Sequence, residues 1–313
     1  MALSRTQEGL QKSSAMRTYE FVNFASVLSI GLLAGGIIVG AADSAGAQTN
    51  DLRTGFYSFS PAVPQPSPSN LVARKELSAD DARRAHDAYL QGDYATARQV
   101  WEKAAEEGDV LAQWRLGNMY RLGQGVDPDV KAALHYYELA GSHFDVGEQD
   151  AARLGVTIDA LVRVAGYYID GDEAAGIDPR PARAFRLYQI TATYGHAAAQ
   201  HKLGLMYITG TGVEANPTLG LKWLILSSRK HHAPALATLG DLYWDGEFVR
   251  QDRVKGLMWY HLAQMHGDRE ASPEIFERYE TLSAQLEEKD RAEALKLAEQ
   301  WIQQYPSRTH RKQ

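Results

Sequence analysis

A chain of 313 residues, 44% of them hydrophobic, is long enough for an extended core, and its net charge of −6 argues against a nucleic-acid-binding surface. It has no cysteine, which excludes disulfides, thiolate metal sites and a lipid-bearing cysteine. Packing alone must hold the fold.

Residues 1–20 carry Arg5, Lys12 and Arg17, and residues 21–42 carry no charge. The run ends in Ala45-Gly46-Ala47-Gln48, the small-residue pattern of a secretory cleavage site. This predicts a signal peptide over 1–47, cleaved between Ala47 and Gln48, and a periplasmic mature chain. The apolar stretch is also long enough for a retained inner-membrane anchor facing the periplasm, although Gly31, Ala34, Gly35, Gly36 and Gly40 weaken that reading. Met16 offers a second possible start. No Arg-Arg pair precedes the run, so no twin-arginine route is indicated.

Residues 48–78 hold Pro61, Pro64, Pro66 and Pro68 among serines, without periodicity, and read as a disordered linker. The aromatic cluster Phe56-Tyr57-Ser58-Phe59 inside it either floats or docks on the fold or on a partner. Residues 79–108, with Ala85, Tyr89, Tyr94, Ala97 and Trp101 around Gly92-Asp93, resemble a tetratricopeptide-like helical hairpin.

From there one spacing recurs four times. It reads Ala112…Leu116-Gly117…Tyr120…Gly123, Ala160…Val164-Ala165…Tyr168…Gly171, Ala199…Leu203-Gly204…Tyr207…Gly210 and Ala235…Leu239-Gly240…Tyr243…Gly246. The apolar members are 48, 39 and 36 residues apart, a period at which each unit is one supersecondary element unable to bury its own apolar face. Apolar and small residues at i, i+4 and i+8 predict a first helix, and the small residue after each apolar one permits a close neighbour. The closing glycines predict left-handed C-caps. A second amphipathic helix follows, carrying His135-Tyr136, Leu187-Tyr188, Trp223-Leu224 and Trp259-Tyr260 and ending on small residues such as Ala140, Ala192 and Ser228. Two antiparallel helices per unit predict an all-α, right-handed α-solenoid of helical hairpins.

The pattern A-x-x-x-L-G-x-x-Y-x-x-G-x-G-V…D-x-x-K-A…W-Y…A resembles the Sel1-like repeat, a relative of the tetratricopeptide repeat. Four such units are expected over 109–271. Unit 4 puts Phe248 where the loop's second glycine belongs, and unit 2 stretches that loop to Gly171–Gly176. Ala140 to Ala160 is also longer than the equivalent gaps, so an insertion near 141–159, carrying Asp145, Glu148, Asp150 and Arg153, is expected as a surface loop. Residues 272–305 read as C-terminal capping helices, with Ser272 as an N-cap before Pro273 and Asp290-x-x-Glu293 as a capping box, and 306–313 as a tail.

Little chemistry is encoded. Ser227-x-x-Lys230 lacks the companion motifs of penicillin-binding enzymes, and Asp170-x-Asp172 lacks the rest of a calcium loop. No enzyme activity, cofactor or metal is expected; His231-His232 has no further ligand at helical spacing. His196, His231 and His232 fall in turns between units, where a ring held neutral would respond to acid.

A repeat array without catalytic residues points to protein binding. First helices are expected to line a concave face, with Trp114, Arg121, Tyr167 and Trp244 as contacts and Asp145, Glu148, Asp150 and Arg153 adding polar ones. The layout of signal peptide, hairpin, a few units and helical tail resembles the ExoR-type periplasmic exopolysaccharide regulators. That resemblance implies a repressor bound to the periplasmic domain of a membrane sensor histidine kinase, released by a periplasmic protease. A scaffold for envelope or polysaccharide assembly, or a secreted factor binding host proteins, would share these features.

Overall fold

Twelve helices in antiparallel succession make up residues 77–306, which are the residues that the computed structural model describes. The cleavage site at Ala47 and Gln48, the aromatic cluster at 56–59, nearly all of the linker and the tail beyond residue 306 lie outside them. The helices are α1 (Ala79–Leu90), α2 (Tyr94–Glu106), α3 (Val110–Leu122), α4 (Val130–Ser142), α5 (Ala151–Asp170) and α6 (Pro181–Thr193). They continue as α7 (Ala197–Thr209), α8 (Pro217–Ser228), α9 (Ala233–Asp245), α10 (Arg253–His266), α11 (Pro273–Ala284) and α12 (Glu288–Gln304). No strand occurs among the described residues; Asp172 and Ile177 form an isolated antiparallel bridge. The all-α repeat architecture expected from the spacing is the one observed.

Short polar side chains start several of the helices. Asp109 accepts from the Ala112 N–H at 2.7 Å, Asp129 from Ala132 at 2.9 Å, Asn216 from Leu219 at 3.0 Å and Asp252 from Lys255 at 3.0 Å. Each satisfies one of the orphan donors of a helix start, worth about 1 kcal/mol apiece. α3, α7 and α9 stop on left-handed Gly123, Gly210 and Gly246. Gly171 departs from this: φ is 70° but ψ is −167°, because the stretched loop closes through the Asp172–Ile177 bridge instead.

The small residue after each apolar motif member serves packing within the hairpin. A Cβ on Gly117 would stand 2.8 Å from the Tyr137 ring of α4, so the Gly lets that fully buried tyrosine lie flat on α3. The cores of successive hairpins then run together. One cluster joins α1 to α3 around Trp101 and Leu116, a second spans α3 to α8 around Tyr137, Tyr188 and Leu203, and a third spans α8 to α12 around Leu239, Trp259 and Leu282.

Two expectations about boundaries change. The insertion is a surface loop only over residues 143–150; residues 151–159 add turns to α5, which has 20 residues against 13 in α3, α7 and α9. Asp150 caps this extension by accepting from the N–H groups of Ala152 and Arg153, and Thr157 and Ile158 bury its inner side. At the C-terminus, α12 starts at Glu288 behind Glu287, so Asp290 lies in the first turn rather than in the cap. Its carboxylate there still complements the helix dipole. Ser272 caps α11 before Pro273 as expected, without a side-chain hydrogen bond.

Candidate interaction surface

Polar side chains tie each first helix to the next. Trp114 of α3 donates its indole N–H to Asp159 Oδ2 of α5 at 2.6 Å, and Arg163 Nε donates to the same oxygen at 3.1 Å. His196, at the start of α7, places Nε2 3.9 Å from the other oxygen of Asp159. His201 of α7 meets Thr238 of α9 at 3.0 Å, and Arg278 of α11 reaches Asp241 of α9 at 3.4 Å.

Asp159 is the hub that sequence reasoning missed. The spacing puts it at the end of a surface loop, whereas the extension of α5 carries it onto the helix. Trp114 borders it, whereas Arg121 and Tyr167 gather about two turns further along α3 and α5, beside Tyr137; all three are half-buried. Tyr137 donates its hydroxyl to Asn118 at 2.9 Å, and the Arg121 guanidinium lies beside it. Burial pushes the hydroxyls of Tyr137 and Tyr167 up from their usual range. The structure thus sets Trp114 beside Asp159 and Arg121 beside Tyr167, as two separate groups along the same helices.

Trp244 is not among them. It is 5% exposed, its Cβ and Cα lie about 3 Å from where a Cβ on Gly256 would stand, and the Arg253 guanidinium covers its ring at 5.4 Å. It packs α9 onto α10 and offers no contact surface. Trp244 holds the register of Arg121, five residues after the apolar motif member, and here packing against Gly256 turns that position into core.

The acidic loop is also committed locally. Asp145 Oδ1 accepts from Gly147 N, Glu148 accepts from Asp150 N and pairs with Arg153 at 3.5 Å, and Asp150 caps α5. Phe144 packs edge-on against Tyr194 and pins the loop to the end of α6.

The histidines occupy two registers. His196 and His232 take the N-cap position that Asp109 takes in the first unit; His196 Nδ1 accepts from Ala199 N at 3.3 Å, while His232 makes no side-chain cap bond. Burial, opposed by Asp159 and reinforced by Arg163 and Lys230, lowers the pKa of His196. Burial next to His196 and Lys202 lowers that of His232 to about 4, and burial beside His232 and Lys202 holds His201 well below its usual value. His231 sits one residue earlier, with φ 59° where the equivalent Gly108 and Gly195 have φ 89° and 83°. Among the described residues no group of three or more His, Asp or Glu side chains is placed to hold a metal ion, and no helix is long and apolar enough to cross a membrane.

The Sel1 repeat model matches residues 86–109, 110–143, 158–196, 197–232 and 233–268, more than half of the chain. The chain belongs to the Sel1 repeat family. The first of the five Sel1 matches falls on the hairpin of α1 and α2, read above as tetratricopeptide-like, and the gap between the second and third covers the loop and the extension of α5. Among curated relatives, an exopolysaccharide production negative regulator of Rhizobium meliloti is 34% identical over 131 residues, 41% of this chain and 48% of that protein. A protein of the same description from Rhizobium leguminosarum bv. viciae is 33% identical over 132 residues, 42% and 48% of the two chains. The alignments thus span about half the length of these relatives. A solved Sel1 repeat protein of Oxalobacter formigenes superposes with a TM-score of 0.49 at 24% identity, over 62% of this chain and 72% of that one.

Proposed function

We propose that this chain is a protein-binding regulator that restrains a sensor histidine kinase by occupying its periplasmic domain, and so controls exopolysaccharide production. The observation that carries the reading is the match to two exopolysaccharide production negative regulators over about two fifths of this chain. Two features of the molecule support it. Sel1 repeats present protein-interaction surfaces, and the face around Asp159 joins aromatic and cationic side chains, the types that dominate binding energetics. The charge pattern of residues 1–47 supports export to the periplasm, where the domain of such a kinase would be met. A protease acting on the repeats would release the restraint.

Deletion of the gene with a transcript readout tests the regulator. A kinase-dependent set of transcripts, exopolysaccharide genes among them, should rise in the deletion strain and fall back when the gene is restored. Unchanged transcripts with defective polysaccharide export would favour a scaffold of the assembly machinery instead.

A further inference from the structure

Arg115, Arg163 and Lys202 hold one register position on three consecutive first helices. Each stands immediately before the apolar residue of its unit, Leu116, Val164 or Leu203, and Thr238 ends the row in the next unit. Equivalent positions of stacked repeats line one side of the stack. Contacts confirm the continuity. The Arg115 guanidinium lies 5.6 Å from the Trp114 ring, Trp114 donates to Asp159, and Asp159 holds Arg163. Further along, Arg163 acts electrostatically on the His196 ring and Lys202 on the His232 ring.

The charge balance of this strip opposes that of the chain. No ion pair engages Arg115, Arg121 or Lys202 among the described residues, and Asp159 is already shared between Trp114, Arg163 and His196. Arg115 is held in place by aromatic rings rather than by a carboxylate: Tyr89, Trp101 and Trp114 surround it at 6.0, 5.6 and 5.6 Å. A cation set among rings keeps its charge available to a partner. A cationic strip on a chain of net charge −6 is local complementarity to an anion.

Resting on the protein-binding reading above, we propose that the strip docks an extended acidic segment of the partner protein, with carboxylates about three residues apart. First helices of successive hairpins meet through side chains, at Trp114–Asp159 and His196–Asp159, so one cation per first helix recurs at about one helix diameter, roughly 10 Å. An extended chain covers about 3.3–3.6 Å per residue, so every third side chain falls opposite a cation. A helical ligand would need about seven residues for the same span and would present one or two charges where an extended one presents three. The chain's own residues 48–76 are not the occupant, since Asp51 and Glu76 are outnumbered there by Arg53, Arg74 and Lys75.

The probe is a fluorescein-labelled 15-residue peptide of Glu, Ser and Gly with Glu at every third position, compared with a peptide of the same composition whose glutamates are contiguous. Binding to the mature chain is read by anisotropy at low salt. The spaced peptide should bind several-fold tighter than the contiguous one, and Arg163→Gln/Lys202→Gln should weaken it about tenfold. Lys131→Gln/Arg186→Gln, which removes two exposed charges elsewhere, should leave it unchanged. Lys202→Gln alone replaces the double variant if that one melts early. Absent saturable binding, equal loss in the two double variants, or preference for the contiguous peptide overturns the proposal, as does a wild-type dimer that dissociates when the strip is neutralised. Capture of the kinase domain separates the two readings. Wild-type capture by the strip variant ends the strip assignment and leaves the regulator standing, whereas failure of the wild-type chain to capture the domain ends the proposed partner while the peptide still decides the strip.

Discussion

His231 and His266 meet across the junction between the last two Sel1 units and the C-terminal helices, Nδ1 to Nε2 at 3.0 Å, with ring centroids 4.4 Å apart. The bond needs one ring to donate and the other to accept. Trp301 of α12 lies edge-on to His231 at 5.3 Å and to Trp259 at 5.8 Å, so the pair links the inter-unit turn to the capping helix. His231 makes this contact from a left-handed backbone conformation, φ 59°, that costs a residue with a Cβ about 1–2 kcal/mol. The side chain is thus held at the expense of the backbone.

Replacement of His231 separates the two contributions. His231→Ala keeps the backbone cost and loses the ring contacts, so it should destabilise by about 1–2 kcal/mol. His231→Gly loses the same contacts but relieves the backbone, and should be about 1 kcal/mol more stable than the Ala variant. Urea melts of both, with His266→Ala completing a double-mutant cycle, check this; equal stability of the Gly and Ala variants would remove the strain from the account.

Phe248 offers the complementary case. It has φ 60° at the loop position where Gly125 and Gly212 have 70° and 71°, and its side chain is 52% exposed. With little burial to offset the backbone, Phe248→Gly should stabilise the fold by about 1 kcal/mol, read as a rise in melting temperature. A fall would mean that the ring packs more than its exposure indicates.

The close approach of α9 and α10 should tolerate no methyl group. A Cβ on Gly240 would overlap the Tyr260 ring, so Gly240→Ala should cost about 1–3 kcal/mol despite the better helix propensity of alanine. Gly155, in the extension of α5, has nothing within 4 Å of an added Cβ, and Gly155→Ala should instead stabilise by about 0.5–1 kcal/mol. The opposite signs, measured by thermal melts on the same chain, test both packing statements.

These positions also show what the sequence makes legible. The fourfold spacing exposes the hairpins, the C-cap glycines and the close helix pairs, because each depends on local chemistry repeated at a fixed interval. The face around Asp159 was hidden for a physical reason. Whether residues 151–159 are loop or helix depends on burial of Thr157 and Ile158 against neighbouring helices and on an Asp150 cap that lies ahead of the register at which Asp109, His196 and His232 start the other first helices. Trp244 misled because its spacing fits either side of the helix, and only packing against Gly256 decides. The row Arg115, Arg163 and Lys202 was readable from the spacing alone, as one residue before each apolar motif member.

Acid should weaken the junctions at His196, His201 and His232. All three are held below the unfolded value of about 6.5, principally by burial, with Lys202 and His232 adding to the effect at His201, His196 and Lys202 at His232, and Arg163 and Lys230 at His196 against the attraction of Asp159. As pH falls below 6.5 the unfolded chain takes up protons that the folded chain refuses, so stability present at neutral pH is lost progressively. For His232, with a folded value of about 4, the window runs from about 6.5 down to about 4 and spans as much as about 3 kcal/mol. The cap adds a structural reason at His196, since a protonated Nδ1 cannot accept from Ala199. Urea melts between pH 7 and pH 5, above most carboxylate titration, should show wild-type stability falling. His232→Asn, with a non-titrating side chain at the same cap position, should flatten that slope, and His196→Asp should restore the cap found at Asp109. Because stacked repeats open locally, the same pH range should speed limited proteolysis at these junctions before global unfolding. Identical slopes in wild type and the His196→Asp/His232→Asn variant would place the acid response outside His196 and His232.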